Sequence, residues 1–380
     1  MARNTNGTGF SLKDELFNQN KVVYLGSLFQ AADSRFDAPG FQRAIMRQLM
    51  QLELKQRIVY IAATLEQFLD RDFRIAARQI QAALPPPLDA SKSDDDFGDF
   101  IFAPLGEYVV RNGLAARHLK LSLRTLKALT QRFSMEDAIR AFLTAHPQAT
   151  LAELEKWARD KHYHVRRLVS EGTRPRLPWS RRLTLELTTP LPLLDILHAD
   201  RTRYVTRSVA NHLNDVAKTH PQLVMQRLVA WKQAGVQCPE ELAWMTKHAL
   251  RTLVKQGDGE ALKLLGFDSQ PRISVSDFRL EQTTLAPGQT LEFAFTLSAQ
   301  RDEALLIDYV IDFVKANGRR SPKVHKLKQV SLSKGDSLTI AKRHPLRKNA
   351  TTYTLYPGTH QVTLQINGQA FDSLSFEMTA

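Results

Sequence analysis

The sequence predicts a multidomain protein in which an all-α HEAT-like solenoid precedes an all-β immunoglobulin-like sandwich. Apolar residues recur near the 3.6-residue helical period over most of residues 11–256. From Pro271 onward, short alternating or β-branched segments are separated by Pro-Gly, Asn-Gly and Lys-Gly turn signals. A unit is also repeated, since His-Pro-Gln precedes a tryptophan at the same spacing at Trp157 and at Trp231. Such repeats are typical of solenoids, whose curvature creates an extended concave binding face.

The helical part divides at proline, glycine and capping signals. Residues 1–10 are expected to be a disordered N-terminus. The triplet that begins at Pro85 ends a first helical block over residues 11–84, and residues 89–99 are expected to form an acidic surface loop. Helical patterns then cover residues 104–133, 135–145 (with Ser134 as N-cap) and 151–170. Four further helices are predicted over Pro190–His198, Arg203–His220, Gln222–Ala234 and Glu240–Gln256.

The β part is predicted to hold short strands at the spacing of a sandwich. The boundary is placed so that residues 11–268 form the helical domain and residues 271–380 form the sandwich. The predicted strands are Ile273–Val275, Leu291–Phe295, Leu305–Val314, Ser337–Ile340, Tyr353–Tyr356 and Gln361–Ile366.

Composition limits the class of function. The chain has 380 residues and a net charge of +13, which favours a polyanionic partner, either nucleic acid or an anionic membrane surface. No apolar run is long enough to span a membrane and the N-terminus lacks a secretory signal, so we expect a cytoplasmic protein. The single Cys238 excludes an intrachain disulfide and a cysteine-rich zinc site. With no metal-binding, phosphate-binding or dinucleotide-binding motif, neither a metal nor another cofactor is predicted.

One non-helical stretch, Ser170–Trp179, concentrates costly side chains between two helical regions. Pro175 and Pro178 exclude a helix and a central strand, yet the stretch contains Glu171, Arg174, Arg176 and Trp179. Loops of this composition often carry function. The alternative is a charged connection between helices, with the tryptophan packed on the next helix.

Carboxylates in the basic part of the helical domain are the candidates for chemistry. Residues 156–182 hold nine Lys or Arg against two acids, Asp160 and Glu171. Because a surface that binds DNA repels acids, Glu171 implies either a cationic ligand or a salt bridge with a neighbouring arginine. On the helix that begins at Arg203, the series Arg207, Asn211 and Asp215 shares one face, which is also the pattern of an ordinary helical ion pair.

A second basic region lies in the predicted sandwich. Residues 315–348 contain eleven Lys or Arg and one acid, Asp336. Arg319, Arg320 and Lys323 are placed on or beside predicted loops, which cluster at the ends of a sandwich. We interpret them as part of a phosphate-binding face, with a merely solvated surface as the alternative.

Two segments resemble a known family. Residues 171–179, Glu-Gly-Thr-Arg-Pro-Arg-Leu-Pro-Trp, and 208–215, Ser-Val-Ala-Asn-His-Leu-Asn-Asp, are similar to the paired signatures of the HEAT-like-repeat alkylpurine DNA glycosylases, the AlkC/AlkD superfamily. The segments 12–18 and 52–57 resemble the AlkC branch, some members of which carry a C-terminal immunoglobulin-like domain. His212 stands where asparagine is more frequent.

The resemblance implies a monofunctional glycosylase that releases cationic methylated bases, 3-methyladenine and 3-methylcytosine, from double-stranded DNA without extruding them. It implies that Glu171, Asp215 and Trp179 are catalytic, with Glu136 added from its place at a helix start. The alternative for Glu136 is an acid that only complements the helix dipole. A monomer is expected. The residues assigned to DNA contact are Arg166, Arg167, Arg174, Arg176, Arg207, Asn211, Lys218, Arg319, Arg320 and Lys323. A non-enzymatic scaffold for nucleic acid or an acidic protein, and an RNA-binding protein, are the rival interpretations.

Overall fold

A computed structural model describes residues 11–92, 97–348, 350 and 353–379. The predicted disorder of residues 1–10 and the centre of the predicted acidic loop lie outside the described residues. The N-terminal part is helical and the C-terminal part is built of strands, so the predicted fold class is confirmed.

The helices of the described residues are short and follow one another closely, as in helical repeats. Their bounds are α1 Leu12–Leu16, α2 Gln19–Ala32, α3 Ala38–Met46, α4 Leu54–Leu65, α5 Phe73–Ala82, α6 Ala103–Gly113, α7 Leu119–Thr130, α8 Glu136–Ala145, α9 Pro147–Trp157, α10 Tyr163–Gly172, α11 Leu191–Leu197, α12 Arg203–Ala217, α13 Pro221–Ala234, α14 Pro239–Ala249, α15 Arg251–Lys255 and α16 Gly259–Leu264.

Helix starts follow local chemistry. Pro147 and Pro221 open α9 and α13, where the missing amide proton costs nothing, so the two copies of the repeated motif begin equivalent helices. Ser134 was expected to cap α8, and this is wrong. The N-cap is Met135, because the Ser134 hydroxyl instead donates to Glu136 Oε2 at 2.6 Å.

Two predicted helices are each divided in two. Residues 151–170 were predicted as one helical segment but belong to α9, which ends at Trp157, and α10, which begins at Tyr163. The predicted helix over residues 240–256 is the second. α14 ends at Ala249 and α15 begins at Arg251, with Leu250 between them. The chain also separates into two compact units, and one of the boundaries between them falls at this break. One comprises the residues up to Val216 with Ala230–His248, and the other comprises Ala217–Val229 with the residues from Ala249 onward. The domain boundary near residues 268–271 therefore stays a prediction.

The second unit contains a sandwich of two sheets. The three-stranded sheet has the order β1-β3-β6 and the five-stranded sheet has the order β2-β8-β7-β4-β5, antiparallel except for the β2–β8 pair. The strands are β1 Ile273–Leu280, β2 Thr284–Leu285, β3 Thr290–Ala299, β4 Glu303–Val314, β5 Arg320–Leu332, β6 Ser337–Pro345, β7 Gly358–Ile366 and β8 Gln369–Met378. Inward residues such as Phe293, Phe295 and Ile311 form its core.

Two strand predictions are wrong. Residues 320–332 were expected to be basic loops but form the edge strand β5, which pairs with β4 along its length. Lysines alternate there with Val324 and Leu327, whose apolar side chains are partly buried, and an edge strand tolerates such lysines. Tyr353–Tyr356 is not a strand.

No helix within the described ranges is long and apolar enough to cross a membrane.

Candidate active site

The loop that follows α10 is held in place by a buried arginine. Arg140 of α8 is 1% exposed, and its guanidinium donates to the carbonyl oxygens of Gly172, Arg174 and Arg181 at 3.1, 2.8 and 2.6 Å. These three hydrogen bonds fix the chain that follows α10, which has no regular secondary structure up to Arg181. Burial lowers the pKa of Arg140, against the attraction of nearby acids including Asp137.

Glu171 lies in the last turn of α10 and is buried, so the prediction that Ser170–Trp179 is non-helical is wrong for its first three residues. The helix continues to Gly172 because the two prolines come only later in the stretch. Its Oε1 accepts from Arg174 Nη1 at 2.7 Å, and its Oε2 accepts from the Ser208 hydroxyl of α12 at 2.6 Å. A carboxylate at a helix C-terminus faces the negative end of the dipole, so these donors are needed to stabilise it. The fold thereby joins the two sequence motifs, since Glu171 belongs to the first and Ser208 to the second.

Asp215 joins Glu171 through one shared guanidinium. Arg174 Nε and Nη2 each lie 3.0 Å from Asp215 Oδ2. The Asp215 side chain is 3% exposed, while Ser208 lies two turns earlier on the same face of α12. Arg174 therefore bridges the two carboxylates that the sequence analysis selected.

Glu136 is brought to the same cluster by Arg167. Arg167 Nη1 lies 2.9 Å from Glu136 Oε2, and its Nη2 lies 3.6 Å from Glu171 Oε1. The guanidinium also stacks over the ring of Tyr204, 4.5 Å from the centroid. The five charged groups Glu136, Arg167, Glu171, Arg174 and Asp215 are called the carboxylate cluster below. Three acids against two arginines leave it with one net negative charge.

The surroundings keep Glu171 and Arg167 in their charged forms. Burial acts to raise the pKa of Glu171, but Arg167, Arg174 and the Ser208 hydrogen bond outweigh it and hold that pKa below its usual value. Burial acts to lower the pKa of Arg167, and the two carboxylates beside it raise it instead. Burial lowers the pKa of His212 to about 4, so this imidazole is neutral near pH 7 and adds no positive charge.

Trp179 differs from the carboxylate cluster in lying at the surface. Its side chain is 83% exposed, and its φ of 70° is in the left-handed region, which is unusual for a residue with a large side chain. Lys55 of α4 contacts its carbonyl oxygen. Backbone strain held by the surrounding structure is often found at functional sites. The strain presents an indole to solvent instead of packing it on the next helix.

The residues assigned to DNA contact fall into two groups. Arg166, Arg167 and Arg174 are each bonded to carboxylates, with Arg166 paired to Asp200 at 2.5 Å. This arrangement favours positioning over phosphate contact for these three. The others are at least partly open to solvent: Arg176, Lys218, Arg319 and Arg320 are exposed, and Arg207, Asn211 and Lys323 are half-buried.

On the sandwich, the basic residues lie along an edge instead of converging in loops. Arg320 and Lys323 belong to β5, and Lys323 sits 4.4 Å from the ring centroid of Tyr353. Arg319 closes the turn at Asn317, whose side chain accepts from its amide. The basic surface is thus a strip along β5 and the turn before it.

Sequence reasoning missed several residues of the site. Ser208 could have been found, because it lies seven residues before Asp215 and so shares its helix face. Nothing in the sequence around Arg140 marks it as a site residue, because its burial depends on a loop many residues later in the chain. Tyr204 could not be placed beside Arg167 without the packing of α10 against α12.

The chain thus combines a helical part that buries carboxylates beside arginines with an immunoglobulin-like sandwich. Residues 274–380 match the family described as the C-terminal Ig-like domain of the uncharacterised protein YhaZ. The uncharacterised protein YhaZ of Bacillus subtilis is 36% identical over 368 residues, which are 96% of this chain and 98% of that protein.

A solved structure extends the likeness to the whole chain. The alkylpurine DNA glycosylase AlkC of Pseudomonas fluorescens, bound to DNA containing an abasic site analog, superposes with a TM-score of 0.87. It is 34% identical, and the match covers 98% of this chain and 100% of that one. The chain belongs to the AlkC branch of the AlkC/AlkD superfamily.

Proposed function

We propose that this protein is a DNA repair glycosylase that hydrolyses the N-glycosidic bond of cationic methylated bases, 3-methyladenine and 3-methylcytosine, in double-stranded DNA. The observation that carries the proposal is the carboxylate cluster, which holds one net negative charge within a chain of net charge +13. A cationic substrate group would balance this charge. Glu171, Asp215 and Glu136 are the proposed catalytic carboxylates.

The proposed chemistry follows from the charge on the leaving group. A methylated cationic base departs without prior protonation, so positive charge develops on the sugar in the transition state. Fixed carboxylates stabilise that charge, which is usually the largest contribution in catalysis. Because the pKa of Glu171 is held low, Glu171 stays negatively charged and is suited to electrostatic stabilisation and to orienting the attacking water, and it is unsuited to donating a proton.

Trp179 is proposed to offer its indole face to the cationic sugar or base, an interaction worth roughly 0.5–2 kcal/mol. Because the indole is exposed and the backbone of Trp179 is held in place, the face of the ring is accessible before DNA binds. By analogy with the family, the lesion is read without extrusion into a pocket. Neutral lesions would gain less from this site, which gives the enzyme a narrow substrate range.

The DNA contacts are proposed to come from the basic surfaces that remain open. Arg176, Arg207, Asn211 and Lys218 would grip phosphates from the helical part, and the strip containing Arg319, Arg320 and Lys323 would do so from the sandwich. Such contacts are independent of base sequence, as expected for an enzyme that searches duplex DNA for damage. A monomer suffices for this arrangement.

The experiment is a single-turnover base-release assay on methylated duplex DNA, with excess enzyme and chromatography of the released bases. We expect release of 3-methyladenine and 3-methylcytosine. Binding of DNA without turnover would favour the non-enzymatic scaffold. Stronger competition by duplex RNA than by duplex DNA would favour the RNA-binding alternative.

A further inference from the structure

We propose that Arg174 is a positioning residue that holds the carboxylates of Glu171 and Asp215 as one unit, and is not a phosphate contact. The inference rests on the proposed function, because it assigns a role within the same site. Of the two arginines in the loop after α10, only Arg176 is then proposed to contact a phosphate.

The geometry of the Arg174 guanidinium carries the inference. All three of its nitrogens are engaged, Nη1 with Glu171 Oε1 at 2.7 Å and both Nε and Nη2 with Asp215 Oδ2 at 3.0 Å. Its side chain is 10% exposed. To reach a phosphate, the side chain would have to leave two buried carboxylates without this partner, which is strongly unfavourable.

The backbone of Arg174 is also fixed. Its carbonyl accepts from Arg140 at 2.8 Å, its amide donates to the Glu171 carbonyl at 3.3 Å, and Pro175 follows directly. Immobility suits a residue that must set the separation of two other side chains. It does not suit one that must follow a variable phosphate backbone.

The charges around Glu171 show why a second cation is needed there. α10 supplies Arg167, α8 supplies Glu136, and α12 supplies Tyr204, Asp215 and a neutral His212. Two acids close to Glu171 would repel it, and Arg167 is already shared with Glu136. Without Arg174, Glu171 would lose one of the cations that lower its pKa and would be driven toward protonation.

Arg176 provides a matched control, two residues along the same loop. It is exposed, and no described residue forms an ion pair with it, whereas Arg174 is buried between two acids. The variants are Arg174→Gln, Arg174→Lys and Arg176→Gln, each checked for folding by near-ultraviolet circular dichroism. Arg174→Lys keeps the charge but cannot span both carboxylates, and it serves if the glutamine variant fails to fold.

Two measurements separate the roles. The first is the dependence of duplex DNA affinity on salt, because each lost phosphate contact reduces the log–log slope by about 0.9. The second is the titration of Glu171, followed by the carbon-13 shift of its labelled carboxyl group and assigned with Glu171→Gln. We expect Arg176→Gln to lower the slope by about 0.9 and to leave the Glu171 titration in place.

We expect both Arg174 variants to keep the wild-type salt slope. Arg174→Gln should move the Glu171 titration upward by about one pH unit, and both should slow base release at saturating enzyme by roughly tenfold or more. An Arg174 variant with a reduced slope and an unmoved Glu171 titration would overturn the inference. If the wild type releases no base, the proposed function fails, and the titration and the slope still decide the role of Arg174.

Discussion

Replacing Ser208 with alanine should raise the pKa of Glu171. The fall in the rate of base release at low pH should therefore begin at a higher pH. The Ser208 hydroxyl donates to Glu171 Oε2 at 2.6 Å inside a buried cluster. Water cannot readily replace a donor in such a position, so the carboxylate loses one of the interactions that favour its charged form. Protonated Glu171 would no longer stabilise a sugar cation.

The size of the shift follows from the strength of the lost bond. A hydrogen bond to a charged group contributes about 1.5–3 kcal/mol, and one pKa unit corresponds to about 1.4 kcal/mol. The upper limit is therefore about two units. Because Arg167 and Arg174 remain and outrank Ser208 among the causes of the lowered pKa, we expect about one unit.

The same bond affects stability with a definite sign. The folded-state pKa of Glu171 is lowered from 4.5, so its contribution to stability is present above pH 4.5 and is lost as pH falls through the folded-state pKa. Ser208→Ala should lower the free energy of unfolding by about 1–2 kcal/mol at pH 7. The deficit should shrink in acid.

Ser170→Ala is the matched control. Ser170 is fully buried one residue before Glu171, and no described residue forms a hydrogen bond with its hydroxyl. Ser170→Ala therefore also deletes one buried hydroxyl but removes no hydrogen bond to a carboxylate. The assay is the single-turnover rate of base release as a function of pH, corrected for spontaneous release. The reasoning would be refuted if the rate of base release fell at the same acidic pH in Ser208→Ala, Ser170→Ala and the wild type.

Three further predictions address catalysis, DNA binding and stability. Glu171→Gln and Asp215→Asn should slow base release far more than they weaken DNA binding, because removing an acid leaves phosphate contacts intact; wild-type single-turnover rates in either variant would contradict its assigned role. Neutralising Arg319, Arg320 and Lys323 together should lower both DNA affinity and its salt slope, since each phosphate contact contributes about 0.9 to that slope, and unchanged values in a folded variant would indicate that the sandwich edge has another role. Burial raises the pKa of Asp308 to about 6 from 3.8, so the buried carboxylate destabilises the fold increasingly as pH rises from about 4 to above 6. The free energy of unfolding of Asp308→Asn should therefore gain about 2 kcal/mol relative to the wild type between pH 4 and pH 8, measured in denaturant melts. A difference that does not change with pH would show that Asp308 does not titrate in this range.

The sequence by itself determined the division into helices and strands. Periodic apolar residues, prolines at Pro147 and Pro221, and the turn signal at Asn317-Gly318 act over a few residues, so local chemistry is sufficient for them. It also determined that Glu171 is an acid in a basic segment, because that is a property of composition alone. The resemblance of two short motifs then indicated the family that the comparisons confirm.

Local signals failed where pairing partners are distant. The sequence of the edge strand β5 predicts loops because its many lysines obscure the strand pattern, and only the pairing with β4 makes it a strand. Ser134 does not cap α8 because Arg167, which lies 33 residues later, donates both to its hydroxyl oxygen and to Glu136, and the sequence does not show that contact. In both cases a competing partner, unseen from the neighbouring residues, decided the structure.

The arrangement of the site was decided only by tertiary structure. The sequence left Glu171 with two alternatives, a cationic ligand or a salt bridge with an arginine, and the fold provides the salt bridge while gathering three acids around two arginines. Whether Arg174 faces phosphate or carboxylate depends on α12 lying beside α10. That packing is set by buried surfaces far apart in the chain, so the spacing of residues along the sequence cannot reveal it.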